Sequence, residues 1–278
     1  MLLVVALVGL SACSDAHSQA QLDLQNQGYD PGAVVILAPS GLAATLKDLG
    51  AGFTRTHPGT SFILVSDVIA GLKQMVRRGP YRPQVAKNDK ASLEADLRPQ
   101  LWVDGSAAIH SLLPPGVLTY GPPTPFGFEQ LTLVVRPGNP DHVSGLAAFA
   151  KGSGLRTGIC LPHTICGALA RASLAKAHVV DGATVTSSKG GKLIAALTAG
   201  HLQAALTTSS EAADAAATAT TVGTVPIPPE LASYAGYTMV RLDVSQVTAE
   251  FVDWLTTSPA ATLILANHGF TRTIGGRA

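Results

Sequence analysis

The sequence predicts an α/β fold built on a mainly parallel sheet, and three observations carry that expectation. Residues 33–38 form a continuous apolar run, the mark of a strand buried on both faces. After the turn Pro39-Ser40-Gly41, Leu42, Leu46, Leu49 and Phe53 recur at helical spacing, and Pro58-Gly59 ends the helix. A second apolar run at 61–65 completes strand, turn, helix and strand, which is a βαβ unit.

The later elements follow in order. Residues 68–76 have helical character, and the polar, aperiodic stretch 79–99 reads as an inserted loop. Leu101-Trp102-Val103 is a short strand ending at Asp104-Gly105-Ser106, and the proline-rich 114–125 is a crossover. Strands are expected at 131–135, 155–160, 204–206 and 225–227, with helices at 167–177 and 193–197. The end of the chain, 247–270, reads as two helices broken at Ser258-Pro259.

The N-terminal residues set the compartment. Residues 1–10 are apolar but too short to span a bilayer, which takes roughly 20 residues. They suit the hydrophobic core of an export signal. Leu10-Ser11-Ala12-Cys13 has the form of a lipobox, so residues 1–13 are expected to be a lipoprotein signal with Cys13 the lipidated first mature residue. The polar, aperiodic 14–32 is then a tether, and the protein sits outside the cytoplasm, anchored to the cell membrane by lipid.

Composition narrows the partner. Charged residues are 13% of the chain against a usual quarter, the net charge is +1, and no basic block could neutralise several phosphates, which excludes nucleic acid. A Gly-rich phosphate loop, a Ser/His/Asp signature and a two-histidine zinc helix are all missing from the sequence, so binding is favoured over catalysis and no cofactor is expected. Several expected strand-to-helix turns instead carry small hydroxyl or glycine residues: Ser40-Gly41, Ser66, Ser106, Thr164 with Gly167, Ser187-Ser188 with Gly190-Gly191, and Thr207-Thr208. Backbone N–H groups at such helix starts hold anions without a cationic side chain. For any one turn, plain helix capping explains the same residues.

Four stretches resemble the molybdate/tungstate-binding solute-binding proteins of ABC importers: ILAPSGLAATLKDLGAGFTRTHPGTSF, GICLPHTICGALARASLAKA, AALTAGHLQAAL with the following TVPIPPE, and TTSPAATLILANHGF. The resemblance implies a two-lobed type II periplasmic-binding-protein fold with the ligand in a cleft between the lobes. Lobe one would be 33–122 plus 241–270 and lobe two 123–240. It also implies a monomer that delivers a small oxyanion to an ABC permease and its ATPase. The family's ligand-facing turns fall on Ser40 and Gly41, on Ser66 and Asp67, on the turn from Thr164 through Cys166 to Gly167, on Gly190, and on Thr208. Asp67 departs from the pattern, because a carboxylate offers a dianion acceptors only. The competing reading is a lipoprotein that keeps this fold as a sensor or interaction module, or that binds another ligand such as phosphate.

Cys160 and Cys166 flank Pro162-His163, a turn able to fold the chain back on itself. Outside the cytoplasm they are expected to form a disulfide worth about 2 kcal/mol, since the closed loop is small. A metal clip Cys160-x-x-His163-x-x-Cys166 would supply three ligands with no evident fourth, and a Cys–His nucleophile pair would need free thiols. Neither a metal nor a catalytic residue is expected.

Overall fold

The computed structural model describes residues 33–66, 99–113, 119–218 and 221–274, and within these the side chains of Ser40, Ser66 and Leu112 are not described. The expected signal and tether (1–32, with Cys13), Asp67, the helix at 68–76 and nearly all of the loop at 79–99 lie outside the described residues.

The expected βαβ unit is present: strand β1 (Val34–Ala38), helix α1 (Ala43–Thr54) and strand β2 (Phe62–Ser66), with β1 and β2 parallel. Leu46, Leu49 and Phe53 of α1 are buried, as their spacing requires. Strand β3 (Leu101–Gly105) pairs parallel to β1 on its other side and runs directly into helix α2 (Ser106–Leu112).

A second unit of the same kind follows. Strand β5 (Thr157–Cys160) leads into helix α3 (Ile165–Lys176), strand β6 (Val185–Ser187) into helix α4 (Gly190–Thr198), and strand β7 (Ala204–Thr208) into helix α5 (Ser209–Ala217). β5 lies between β6 and β7, parallel to both. Two long strands join the units. Strand β4 (Thr124–Val135) pairs antiparallel with β9 (Tyr234–Arg241) along its first half and with β7 along its second. β9 in turn pairs antiparallel with β3. The order is β2-β1-β3-β9-β4-β7-β5-β6, with the short β8 (Gly223–Val225) also against the second half of β4. Helices α6 (Gln246–Thr257) and α7 (Pro259–Asn267) close the chain, broken at Ser258 as expected: its side chain accepts from Ala260 N–H, and Pro259 takes the first helical position, where no N–H is needed.

Both halves of the sheet are covered on both faces. In the first, Val34, Ile36, Leu101 and Val103 pack with Phe53, Phe126, Phe251 and Phe270, while Val35, Leu37, Trp102 and Val240 face Ile109 of α2. In the second, Leu131, Leu133 and Leu206 pack with Leu169 and Leu174 of α3, while Val134 and Ala205 pack with Leu193, Ile194 and Leu197 of α4. Alternate residues of each strand serve opposite faces, which is why β1 reads as a continuous apolar run.

Helix α2 and strand β6 were not among the expected elements, nor were the first half of β4, β9 and α5. β4 begins at Thr124, not at 131, although prolines and a glycine punctuate that stretch. Pro125 and Gly127 sit where the β4–β9 register shifts, which accommodates the missing N–H of proline. β9 carries little apolar patterning because its neighbours β3 and β4 hold it in place. Ala-rich α5 lacks a strong apolar stripe, but its start is written in a capping box, Thr208 with Glu211. Among the described residues no helix is long and apolar enough to cross a membrane.

Candidate functional site

In open α/β sheets, ligand contacts gather where parallel strands end and helices begin. Here the carboxyl ends of β1, β3 and β5 supply those turns. After β1 the chain makes a 3-10 turn, Ser40–Leu42, closed by Leu42 N–H to Pro39 O at 2.9 Å. Gly41 is exposed, with open space around its Cα. Ser66 is the last residue of β2. At the end of β3, Ser106 begins α2, and its hydroxyl meets that of Thr238 on β9 at 2.7 Å.

The turn after β5 faces this set. Ile165, the first residue of α3, packs against the cores of both halves. Its Cδ1 lies 3.7 Å from the point where a Cβ on Gly105 would sit. The start of α3 from the second half of the sheet therefore abuts the end of β3 from the first. Thr164 caps the helix: its hydroxyl accepts from Gly167 N–H at 3.0 Å and donates to Leu161 O at 2.8 Å. Gly167 has no substitute here, since a Cβ would lie 1.9 Å from Leu161 O. Cys160 and Cys166 are bonded to each other across the turn with Cα atoms 5.6 Å apart, and both are buried. The thiols a Cys–His nucleophile would need are thus joined, and His163 is exposed.

The remaining two expected residues are turned inward. Gly190 starts α4, and its N–H donates to Glu211 Oε1 at 2.6 Å, while Thr207 donates to Glu211 Oε2 at 2.7 Å. Glu211 therefore occupies the anion position at the start of α4. Thr208 is buried and caps α5 through Glu211 N–H, with its hydroxyl 3.0 Å from that of Ser210. The structure brings the turns at Gly105–Ser106 and Thr164–Gly167 together, and it gives Thr164, Gly190 and Thr208 partners within the chain.

Sequence reasoning passed over a buried acid at the junction of the two halves. Glu129 on β4 is 2% exposed; Tyr237 on β9 donates to its Oε1 at 2.7 Å, and Ser210 at the start of α5 donates to its Oε2. Burial pushes the Glu129 carboxyl up, the hydroxyls of Ser210, Tyr237 and Thr208 pull it back, and the charge of Glu211 adds to the rise. Tyr237 is held well above the ordinary tyrosine range, first by burial and then by the Glu129 charge, so it stays a neutral donor. A lone glutamate between Phe128 and Leu131 in an apolar strand was the available signal. Asp104 is a second buried acid, raised mainly by burial and lowered by Gly105 N–H, which reaches its Oδ1 at 2.7 Å. The Trp102 indole also pulls it down but falls short of hydrogen-bond geometry. Trp102 Nε1 and Asp104 Oδ2 both lack a hydrogen-bond partner.

The sequence profile of the bacterial extracellular solute-binding protein family matches residues 34–271. The chain belongs to that family. No curated protein matches this solute-binding protein in sequence. Solved structures that share its fold include the substrate-binding domain of a putative molybdenum ABC transporter from Clostridium difficile, at 13% identity and TM-score 0.66, covering 87% of this chain and 99% of the other. The periplasmic molybdate-binding protein of Azotobacter vinelandii matches at 15% identity and TM-score 0.61, over 85% and 98%. PEB3 bound to L-phospholactate matches at 14% identity and TM-score 0.63, over 86% and 99%. At these identities the likeness establishes the fold, which is the two-lobed α/β fold of periplasmic solute-binding proteins. Membership of the family places the protein outside the cytoplasm, among binding proteins for small solutes.

Proposed function

We propose that this protein is the lipid-anchored solute receptor of an ABC importer, binding a small oxyanion between its lobes and passing it to a permease and ATPase. In this reading the protein is a monomer tethered through Cys13, and residues 33–122 with 241–270 form one lobe against 123–240. The observation that carries the proposal is the start of α3 meeting the end of β3. The first N–H groups of an α-helix have no intrahelical acceptor, and Ile165, which opens α3, packs at the seam between the two halves. Gly41 and Ser66 complete the anion site from the first lobe. Molybdate or tungstate is the leading ligand, supported by two fold neighbours named for molybdenum or molybdate. Calorimetry with molybdate, tungstate, sulfate and phosphate tests this: one equivalent of a tetrahedral oxyanion bound, with a raised melting temperature by linkage, is expected. No response at millimolar concentration overturns it.

One observation favours the second reading, a solute-binding fold that takes another ligand or acts as a sensor. Thr164, Gly190 and Thr208, three residues expected to face ligand, spend their donors within the chain, on Leu161 O and on the Glu211 carboxylate. Binding of phosphate or an organic phosphate in preference to molybdate would select that alternative.

A further inference from the structure

We propose that the reduced protein holds one zinc-class divalent cation between Cys160, Cys166 and Glu211, and that the disulfide is the metal-excluding state of this site. The two sulfurs and a carboxylate oxygen of Glu211 all lie within 4.8 Å of one another. A fourth ligand atom is at hand: the backbone oxygen of Leu206 on β7 is 3.5 Å from Cys166 Sγ and 4.0 Å from Cys160 Sγ. The sequence motif had offered His163 as third ligand, but that residue is exposed, and the tertiary structure supplies Glu211 from 45 positions beyond Cys166 in its place (211 − 166). Zinc–sulfur bonds of about 2.3 Å and zinc–oxygen bonds of about 2.0–2.2 Å set ligand-to-ligand edges of about 3.6 Å, so the freed sulfurs must part and the Glu211 oxygen must close in by about 1 Å.

The surroundings favour this ligand set. Three helix starts converge on it: Cys166 lies in the first turn of α3, Gly190 N–H at the start of α4 donates to Glu211, and Glu211 lies in the first turn of α5. The positive ends of helices stabilise thiolate and carboxylate over their protonated forms. Three anionic ligands around a dication leave a single net negative charge facing those helix ends. Cys160 and Cys166 are buried, so water competes poorly for the metal.

The chemistry balances with a dithiol reductant. The dithiol gives two electrons and two protons to the Cys160–Cys166 bond, leaving two thiols and becoming a disulfide itself. Each thiol then loses its proton as the cation binds. Because Cys166 sits in the first turn of α3, occupancy would also be felt at the proposed ligand seam, though the metal site does not depend on that reading.

The test uses the full chain, reduced with a phosphine, freed of reductant under nitrogen, and titrated with zinc(II) by calorimetry and with cobalt(II) by absorption. The reduced protein should bind one equivalent and show sulfur-to-cobalt charge-transfer bands, while the disulfide form binds none. Glu211→Gln, which keeps an oxygen for Gly190 N–H, should weaken binding at least tenfold with the thiolate bands retained, and Cys160→Ser should weaken binding and at least halve those bands. Absence of binding by the reduced protein, equal binding by Cys160→Ser, or loss of the folded circular dichroism on reduction would each overturn the proposal.

Discussion

The helix starts at Thr164 and Thr208 are alike in sequence and opposite in outcome. Each follows a parallel strand, and each threonine accepts the N–H of the residue three positions on. In Thr164-Ile165-Cys166-Gly167 that residue is glycine, which has no side chain to turn back, and Ile165 packs against the other half of the sheet. In Thr208-Ser209-Ser210-Glu211 it is a glutamate, which closes the capping box and also takes up the start of α4. Ser209 and Ser210 then bind Gly269 O and Glu129, fixing α5 to the first half of the sheet. A helix start becomes a ligand site only if the chain does not first supply its own carboxylate.

The largest effect should come from Gly167→Ala. Its Cβ would meet backbone, Leu161 O at 1.9 Å, so a loss of about 3 kcal/mol in urea denaturation is expected. At Gly190 a Cβ would meet side-chain atoms, Glu211 Oε2 and Thr207 Oγ1, each at 2.0 Å; of these only Glu211 is long enough to move, so the loss should be smaller, about 2 kcal/mol. Equal losses at the two glycines would erase the contrast.

Removing the caps sharpens it. Thr208→Ala breaks a buried capping box and should cost about 2 kcal/mol, against about 1 kcal/mol for Thr164→Ala. Thr164→Ala should change oxyanion affinity as well, read by calorimetry, whereas Thr208→Ala should leave it alone.

Acidity separates the two starts further. The folded-state carboxyl of Glu129 is raised above its unfolded value, so the folded protein favours the protonated form. Its contribution to stability is full below the unfolded value and is lost as pH rises through the folded one. Relative to Glu129→Gln, the wild type should therefore lose stability between acid and neutral pH in paired urea melts. A constant difference across that range would mean the acid is not strained by burial.

The smallest expected change concerns Asp67, the acid beside Ser66. At about 4 Å and an effective dielectric near 20, each like-charge contact costs on the order of 4 kcal/mol, doubled for a dianion. A carboxylate facing the cleft would therefore abolish oxyanion binding. If Asp67 instead caps a helix, as Glu211 does, Asp67→Ser should leave ligand choice unchanged by calorimetry. A large gain in molybdate affinity would place Asp67 in the cleft.

Local pattern carried much of the fold. The runs that became β1, β2 and β3 open with consecutive apolar residues that pack on both faces of the sheet, so they were legible without knowing their partners. The spacing of Leu46, Leu49 and Phe53, and Ser258 before Pro259, wrote α1 and the α6–α7 break directly into the chain. The Cys160–Cys166 pair was legible from compartment and spacing. Other features depended on what packs alongside. β9 and the first half of β4 are strands because β3 and each other supply their hydrogen bonds, which outweighs glycine and proline within them. Glu129 meets Ser210 and Tyr237 across separations of 81 and 108 residues, and Glu211 meets Gly190 across 21. No window of sequence contains those contacts. The chain by itself determined where helices begin and which residues could donate there; only the tertiary structure decided which donors stay open, because that depends on which distant carboxylate is folded against each helix start.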